Sequence, residues 1–174
     1  MHRLNNMIKK TETKLFYTIN QRLKCRPLDA IMLRITNIGS AFFTLSLVLI
    51  MILFGKSATK SAGWQAMAAL IFSHGVVQGL KLWLRRDRPF FTLKGVNILG
   101  KLPKDASFPS GHSTASFALA TSLAMYWPAF TIIGMGTASL VAISRIYLGY
   151  HYPSDVIVGT ALGILSALSM GWLI

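Results

Sequence analysis

Acidic residues and cysteines are scarce in this sequence. Only five of its 174 residues are Asp or Glu, and Cys25 is the single cysteine. One cysteine excludes an internal disulfide and a cysteine-based metal cluster. A magnesium site asks for several carboxylates close together, whereas the acidic residues here are scattered along the chain: Glu12, Asp29, Asp87, Asp105 and Asp155. We therefore expect no bound metal and no other cofactor.

Charge of either sign is sparse, and apolar runs are long. Charged residues make up 13% of the chain and apolar residues 53%, whereas about a quarter of a typical soluble domain is charged. A helix crosses a membrane with roughly 17 to 25 apolar residues. The candidate spans are 28–54, 63–84, 113–126, 129–147 and 154–174. The third candidate span is short, and Pro128 breaks the helix between it and the fourth. We therefore predict that the third and fourth spans form a tight helical hairpin. The predicted fold is an all-α, polytopic membrane bundle of five transmembrane helices.

The first 27 residues do not have the pattern of a secretory signal, which combines a short basic region, an apolar stretch and a small-residue cleavage site. They mix cations with apolar residues at helical spacing, among them Lys10, Lys14, Ile8 and Phe16. This pattern favours an amphipathic helix on the bilayer surface with its cations toward anionic headgroups, and a frayed basic tail is the alternative. We expect an interfacial segment at 1–27 and a transmembrane domain at 28–174.

The formal net charge of +13 is distributed unevenly. With five spans, every Lys and Arg except Lys56 and Lys60 falls on one side of the membrane. No basic stretch is interleaved with aromatic residues that could stack bases, so we do not expect a nucleic-acid partner. The positive-inside rule places the basic side in the cytoplasm.

Two clusters of polar residues surround the start of the third span. In KLWLRRDRP, Lys81 and Arg88 are separated by about two helical turns, so that both cations share one face and can bind one anion. In FPSGH, Ser110 is a candidate helix N-cap and Gly111 permits close approach of a ligand to the backbone. Free N–H groups at a helix start bind anions, and His112 stands beside them.

A third cluster, SRIYLGYHYPSD, joins the fourth and fifth spans on the same membrane face. Arg145 ends the fourth span, and His151 and Asp155 are related as i and i+4. A carboxylate at that spacing can accept the Nδ1–H of His151 and leave Nε2 free to attack. Three cations and a helix start suit the spread charge of a phosphoryl transition state. Two histidines can divide the chemistry, one attacking phosphorus and the other protonating the leaving oxygen.

The three clusters together resemble the three-part signature of the type 2 phosphatidic acid phosphatase family. The matching positions are Lys81, Arg88, Pro89, Pro109, Ser110, Gly111, His112, Ser144, Arg145, His151 and Asp155. The family includes bacterial lipid phosphatases and undecaprenyl diphosphate phosphatases, and it shares its site with vanadium haloperoxidases. Many members have six spans. In this chain, the amphipathic segment stands where those members have their first span.

The resemblance implies a role for each residue. In the family, the residue at the position of His151 forms a phosphohistidine intermediate, the one at Asp155 orients it, and the one at His112 is the general acid. The reaction in the family requires no metal. The remaining positions hold the phosphate: Lys81, Arg88, Ser110, Gly111 and Arg145. A lipid phosphate substrate and a bacterial plasma membrane are implied as well. The resemblance also implies a site on the outer face of the membrane, as in most bacterial relatives, whereas the distribution of Lys and Arg predicts a cytoplasmic site. The sequence leaves both orientations open.

Several alternatives remain at this point. A haloperoxidase could hold vanadate in the same cradle, although it would be soluble, and a transporter or channel would explain spans with buried charge. The substrate could be phosphatidic acid, phosphatidylglycerol phosphate or undecaprenyl diphosphate, and the small chain favours a polyprenyl diphosphate.

Other polar and small residues have structural interpretations. We predict that Arg85 and Arg86 anchor a helix to headgroups, and that His74 and Gln78 form a packing or hydrogen-bonding pair, with a catalytic role for His74 as the alternative. The small-residue ridge packs within the bundle, with a homodimer contact as the alternative; it comprises Gly159, Gly163, Ala167 and Gly171.

Overall fold

A computed structural model describes residues 2–173 of the chain, and for residues 2–6 and Ile8 it describes only the backbone. Ile174, the expected end of the last span, and the side chain of Ile8, expected on the apolar face of the first segment, lie outside the described part.

The regular secondary structure of the described residues is all helical, with no strand among them, as predicted. The helices are α1 (His2–Tyr17), α2 (Arg26–Ile38), α3 (Ala41–Phe54), α4 (Ala58–Leu84), α5 (Pro89–Thr92), α6 (Gly111–Tyr126), α7 (Thr131–Tyr147) and α8 (Pro153–Leu173). A π-helical turn, Thr18–Arg22, continues α1, and a 3₁₀ turn, Pro128–Phe130, precedes α7 at the predicted hairpin.

The predicted count of five spans is not established. Among residues 2–173, three segments are long and apolar enough to cross a membrane: Ala58–Thr92, Pro128–Tyr147 and Pro153–Leu173. The run predicted as one span at 28–54 is a pair of helices, Arg26–Ile38 and Ala41–Phe54, bent by 47°, and it adds a fourth if the pair crosses as a broken span. The break lies where Ser40 caps α3 by accepting a hydrogen bond from the Phe43 N–H.

Helix α6 has 16 residues and is the central helix of the bundle. It packs against α4, α7 and α8, and its Ser, Thr and Ala side chains are mostly buried. Small side chains permit this close approach. On α8, a side chain at Gly159 or Gly163 would collide with the α6 backbone, and Ala167 is fully buried. The predicted small-residue ridge therefore packs within the bundle, and no homodimer contact is shown.

Helix α1 is docked on the bundle. Phe16 is completely buried, in a cluster with Phe117 of α6 and Val156 of α8, and burial of such a side chain contributes about 1.5–3 kcal/mol. Asn20 is also fully buried, and its side-chain amide donates to the carbonyls of Asn97 and Tyr147, at 2.8 Å each. These contacts contradict the frayed-tail alternative, because they hold the N-terminal segment against the end of the bundle that carries His151.

Candidate active site

His151 lies in the short link between α7 and α8, and its side chain is 2% exposed. Its Nδ1 lies 2.7 Å from the carbonyl oxygen of Ser107. A carbonyl only accepts hydrogen bonds, so Nδ1 carries the proton and Nε2 keeps its lone pair. Nε2 faces the guanidinium of Arg88, with Nη1 at 3.3 Å. The ring is thus held in the tautomer that a nucleophile requires.

Asp155 does not accept the Nδ1–H of His151 as the i, i+4 spacing predicted. The distance from Nδ1 to Oδ2 is 3.6 Å, too long for a hydrogen bond. The reason is local: α8 begins only at Pro153, so His151 precedes the helix and the spacing rule does not apply to it. Asp155 instead turns back to its own helix start, where it accepts from the Tyr152 N–H at 2.9 Å.

The carboxylate of Asp155 is completely buried and has further partners. The Ser107 hydroxyl donates to Oδ2 at 2.5 Å, and Arg86 Nη1 donates to Oδ1 at 2.7 Å. Ser107 therefore connects the two residues, because its carbonyl holds His151 while its hydroxyl holds Asp155. The headgroup-anchor prediction is wrong for Arg86, whereas Arg85 is exposed and its Nε donates to the Leu82 carbonyl of its own helix.

Burial lowers the pKa of His151 to about 4; the neighbouring Asp155 opposes this shift, while the charges of Arg145 and Arg88 add to it. The imidazole is therefore neutral at neutral pH. A neutral ring is the nucleophilic form, so the electrostatic setting and the hydrogen bond to Ser107 favour the same state.

Lys81 and Arg88 meet as predicted, although they do not share one continuous helix. Helix α4 ends at Leu84, and Arg88 is the N-cap of α5. Both cations bind the side chain of Asp105: Arg88 Nη2 lies 2.7 Å from Oδ1, and Lys81 donates to Oδ2. Arg88 is 2% exposed and also donates to the carbonyl of Tyr150 at 2.8 Å. One anion is thus bound by two cations, and here that anion is a carboxylate.

Burial would raise the pKa of Asp105, but its hydrogen bond and charge interaction with Lys81, followed by those with Arg88, outweigh burial and lower the pKa to about 2. Its side chain is 52% exposed. The carboxylate therefore stays ionised and occupies the position of an anionic ligand on the solvent side of the two cations.

Arg145 is buried at the end of α7, with 5% of its surface exposed. Nη1 donates to Thr36 Oγ1 at 2.7 Å, and the guanidinium lies 4.6 Å from the ring centre of Tyr150. Its Nε is buried without a hydrogen-bond partner among the residues that the structure describes. An unpaired buried donor of this kind is uncommon.

The start of α6 has the predicted form. Ser110 is the N-cap and its hydroxyl accepts from Ser113, at 2.9 Å from the Ser113 hydroxyl. Its N–H donates to the main-chain carbonyl of Asp155 at 3.0 Å, which fixes this helix start against α8. Gly111 and His112 follow, and the charges of Arg145, Lys81 and Arg88 all act on His112. The structure therefore brings all the predicted site residues to one end of the bundle.

A cavity of about 460 Å³ leads away from these residues between α3, α4 and α6. Its walls are mostly apolar, with Leu45, Leu70 and Val77 among them, and Lys81 and His112 line it too. His74 and Gln78 also line it, and their side-chain nitrogens lie 3.5 Å apart, in agreement with the predicted pair. The cavity can hold an apolar chain whose polar end reaches the cations.

Three residues of the site were missed from the sequence: Asp105, Ser107 and Arg86. Ser107 acts partly through its main chain, which no residue type reveals. Arg86 stands in RRDR two residues before Arg88, and nothing in the order of these residues distinguishes Arg86 and Arg88, which bind carboxylates, from the exposed Arg85. Asp105 precedes the FPSGH stretch closely, and the excess of cations nearby was the only signal for it.

A family profile described as the PAP2 superfamily matches residues 62–173, and the chain belongs to this superfamily. The undecaprenyl-diphosphatase BcrC of Bacillus subtilis is 34% identical over 149 residues, which cover 79% of this chain and 70% of that protein. The chain spans about half the length of several other curated relatives, 42% and 53% in two cases.

Two solved structures share the fold. Aquifex aeolicus LpxE superposes with a TM-score of 0.83 at 28% identity, covering 92% of this chain and 94% of LpxE. A transmembrane PAP2-type phosphatidylglycerolphosphate phosphatase from Bacillus subtilis gives a TM-score of 0.80 at 27% identity, covering 97% of this chain and 86% of that one.

Proposed function

We propose that this member of the PAP2 superfamily is a metal-independent phosphatase that removes the terminal phosphate from a membrane lipid phosphate or diphosphate. The observation that carries the proposal is the tautomer of His151. Ser107 binds Nδ1–H, and the unprotonated Nε2 faces Arg88, which together with Lys81 already binds an anion. A nucleophile and an anion site thus adjoin one another.

In the first step, the substrate phosphate replaces the carboxylate of Asp105 on Lys81 and Arg88, and the unpaired Nε of Arg145 donates to it. Nε2 of His151 forms a bond to phosphorus as the bond from phosphorus to the lipid oxygen breaks. The electron pair of that bond goes to the leaving oxygen, which takes a proton from the imidazolium of His112. Burial and the neighbouring cations lower the pKa of His112 to about 2 in the protein without ligand, so we propose that His112 takes up this proton when the anionic phosphate binds beside it. The cations and the N–H groups at the start of α6 stabilise the charge on the equatorial oxygens.

In the second step, water attacks the phosphohistidine. His112, deprotonated by the first step, accepts a proton from the water, and the electron pair of the N–P bond returns to Nε2. Inorganic phosphate leaves and both histidines regain their starting states. Fixed cations supply the charge stabilisation that a metal ion supplies in other phosphatases, which is why we propose catalysis without one.

The substrate is proposed to be a lipid because the apolar cavity ends at Lys81 and His112. The relatives are named for an undecaprenyl diphosphate and a phosphatidylglycerol phosphate. Among undecaprenyl diphosphate, phosphatidylglycerol phosphate and phosphatidic acid, the 34% identity to the undecaprenyl-diphosphatase, against 27% to the phosphatidylglycerolphosphate phosphatase, favours the first. We place the protein in a bacterial plasma membrane.

Phosphate release by the purified protein from these three lipids, with chelator present, tests the proposal. We expect hydrolysis of at least one lipid, unaffected by chelator, and loss of activity in His151→Ala. Trapping of labelled phosphate on the wild-type protein in an acid-labile, base-stable form would identify the phosphohistidine. Activity that survives in His151→Ala, or that disappears with chelator, would contradict the mechanism.

A further inference from the structure

Arg86 connects the catalytic end of α8 to the N-terminal helix. Its Nη1 donates to Asp155 Oδ1 at 2.7 Å and to Ser154 Oγ at 2.7 Å, and its Nη2 donates to Glu12 Oε2 at 2.9 Å. The guanidinium also lies 4.1 Å from the ring centre of Tyr152. All these contacts are with α1 and with the first turn of α8 or the residue before it.

Asp155 needs a counter-charge, because its carboxylate is completely buried and an unpaired buried charge is costly. His151 does not supply this charge, since it is neutral and its Nδ1 proton is bound to Ser107. Arg86 forms the ion pair with Asp155 instead. The position of the Asp155 side chain therefore depends on Arg86 more directly than on His151.

Arg86 lines a pocket beside Lys81 and Arg88, but its ion pairs point to the support of the catalytic residues as its main role. Two carboxylates, from Glu12 and Asp155, already neutralise its single charge. Loss of Arg86 should therefore disturb how His151 and Asp155 are held, and leave the cations that bind phosphate in place.

Glu12 is the only glutamate in the chain, and its side chain is 14% exposed. Besides Arg86, it binds the first turn of α8: Oε1 accepts from the Ser154 N–H at 3.2 Å and from the Ser154 hydroxyl. The buried Phe16 holds α1 in this position. The N-terminal helix thus contributes a residue to the support of Asp155.

We infer that Arg86 is a positioning residue for the catalytic pair, and that Glu12 of the N-terminal helix holds Arg86 in place. The inference rests on the proposed function. It gives the N-terminal segment a part in turnover in addition to any contact with the membrane surface.

Arg86→Gln and its neighbour Arg85→Gln form a matched pair of variants, because both remove one arginine from the same segment. In Arg86→Gln we expect kcat to fall roughly 100-fold, because a small displacement of reacting groups has an effect of this size. KM should change less than about threefold. Arg86→Lys restores the cation and should recover part of the loss. Arg85→Gln should have wild-type kcat.

Glu12→Gln keeps an acceptor for Ser154 but places an amide against Arg86, so kcat should fall less, by roughly tenfold. Lys10→Gln, an exposed position on the same helix, is its control and should match the wild type. Thermal midpoints of all variants show whether the effect on kcat follows from loss of folding.

The ¹⁵N signals of labelled histidine provide a readout that needs no turnover, so the inference can be tested even if none of the chosen lipids is hydrolysed. The His151 signals should change in Arg86→Gln and stay unchanged in Arg85→Gln. Equal kcat and equal ¹⁵N signals in the two variants would overturn the inference, and so would an effect of Arg86→Gln confined to KM.

Discussion

The Nδ1 atom of His151 lies 2.7 Å from the carbonyl oxygen of Ser107 and 3.6 Å from the nearest carboxylate oxygen of Asp155. The hydrogen bond that fixes the tautomer is therefore made by the main chain. The carboxylate acts on the imidazole through its charge and through Ser107, whose hydroxyl it binds.

Substitution of Asp155 should test this division of roles. Where a carboxylate itself accepts the Nδ1 proton, as in serine proteases, replacement by Asn lowers kcat by about 10⁴-fold through the wrong tautomer. Here the Ser107 carbonyl remains, so Asp155→Asn should lower kcat by about 10²-fold, the cost of imprecise positioning. Steady-state kinetics beside His151→Ala measures this. A loss in Asp155→Asn as large as that in His151→Ala would mean that Asp155 fixes the tautomer after all.

Asp105 should compete with the substrate, because its carboxylate occupies Lys81 and Arg88. Asp105→Asn keeps the size of the side chain and removes its charge. We expect inorganic phosphate to inhibit this variant at roughly tenfold lower concentration, equivalent to about 1.4 kcal/mol. Asp87→Asn, an exposed change in the same region, serves as control. Unchanged or weaker inhibition in Asp105→Asn would show that the carboxylate does not block the anion site.

The low pKa of Asp105 also predicts how this ion pair depends on pH. With a pKa of about 2 in the folded protein against an ordinary 3.8, the ion pair contributes stability above about pH 4. That contribution is lost as the pH falls through 2. The thermal midpoint of the wild type should therefore drop on acidification below pH 4 more than that of Asp105→Asn. Parallel curves for the two proteins would rule out the ion pair as a source of stability.

The pKa of His151 sets the acid limb of activity. Burial lowers it to about 4 from an ordinary 6.5, so the nucleophile is neutral throughout the range above pH 4. The acid limb of kcat/KM that belongs to His151 should lie near pH 4. Between pH 4 and 6.5 the unfolded chain binds the additional proton, so this group makes stability rise with pH across that window. A pH profile of kcat/KM checks the prediction. An acid limb near pH 6.5 would contradict it, because that is where a solvated histidine titrates.

Phe16 should determine whether the N-terminal helix stays docked. Its side chain is completely buried, whereas the neighbouring Leu15 is 44% exposed. Phe16→Ala should destabilise the protein by about 3–5 kcal/mol and lower kcat through the displacement of Glu12, while Leu15→Ala should do neither. Thermal unfolding and phosphate release, measured in the same detergent, give both quantities. Wild-type kcat in a stably folded Phe16→Ala would separate the N-terminal helix from catalysis.

The fold class and most of the candidate site could be predicted from the sequence, for reasons that are local. Long apolar runs indicate membrane helices wherever they pack, and Ser110 predicts the start of α6 because a cap depends on its own neighbours. The number of spans was less predictable. Residues 28–54 form one apolar run in sequence but two helices in space, and α6 combines the length of a short span with burial at the centre of the bundle.

Residue type and spacing alone determined which chemical groups this protein has available: two histidines, three cations and a helix start, between residues 81 and 151 of an apolar chain. Tertiary structure decided how these groups are paired. Whether His151 bonds to Asp155 or to Ser107, and whether Arg86 faces lipid or Glu12, depends on where separate helices end and meet. Such contacts join residues far apart in the chain, and the energy of each depends on burial and on the neighbouring charges, which exist only once the helices have packed.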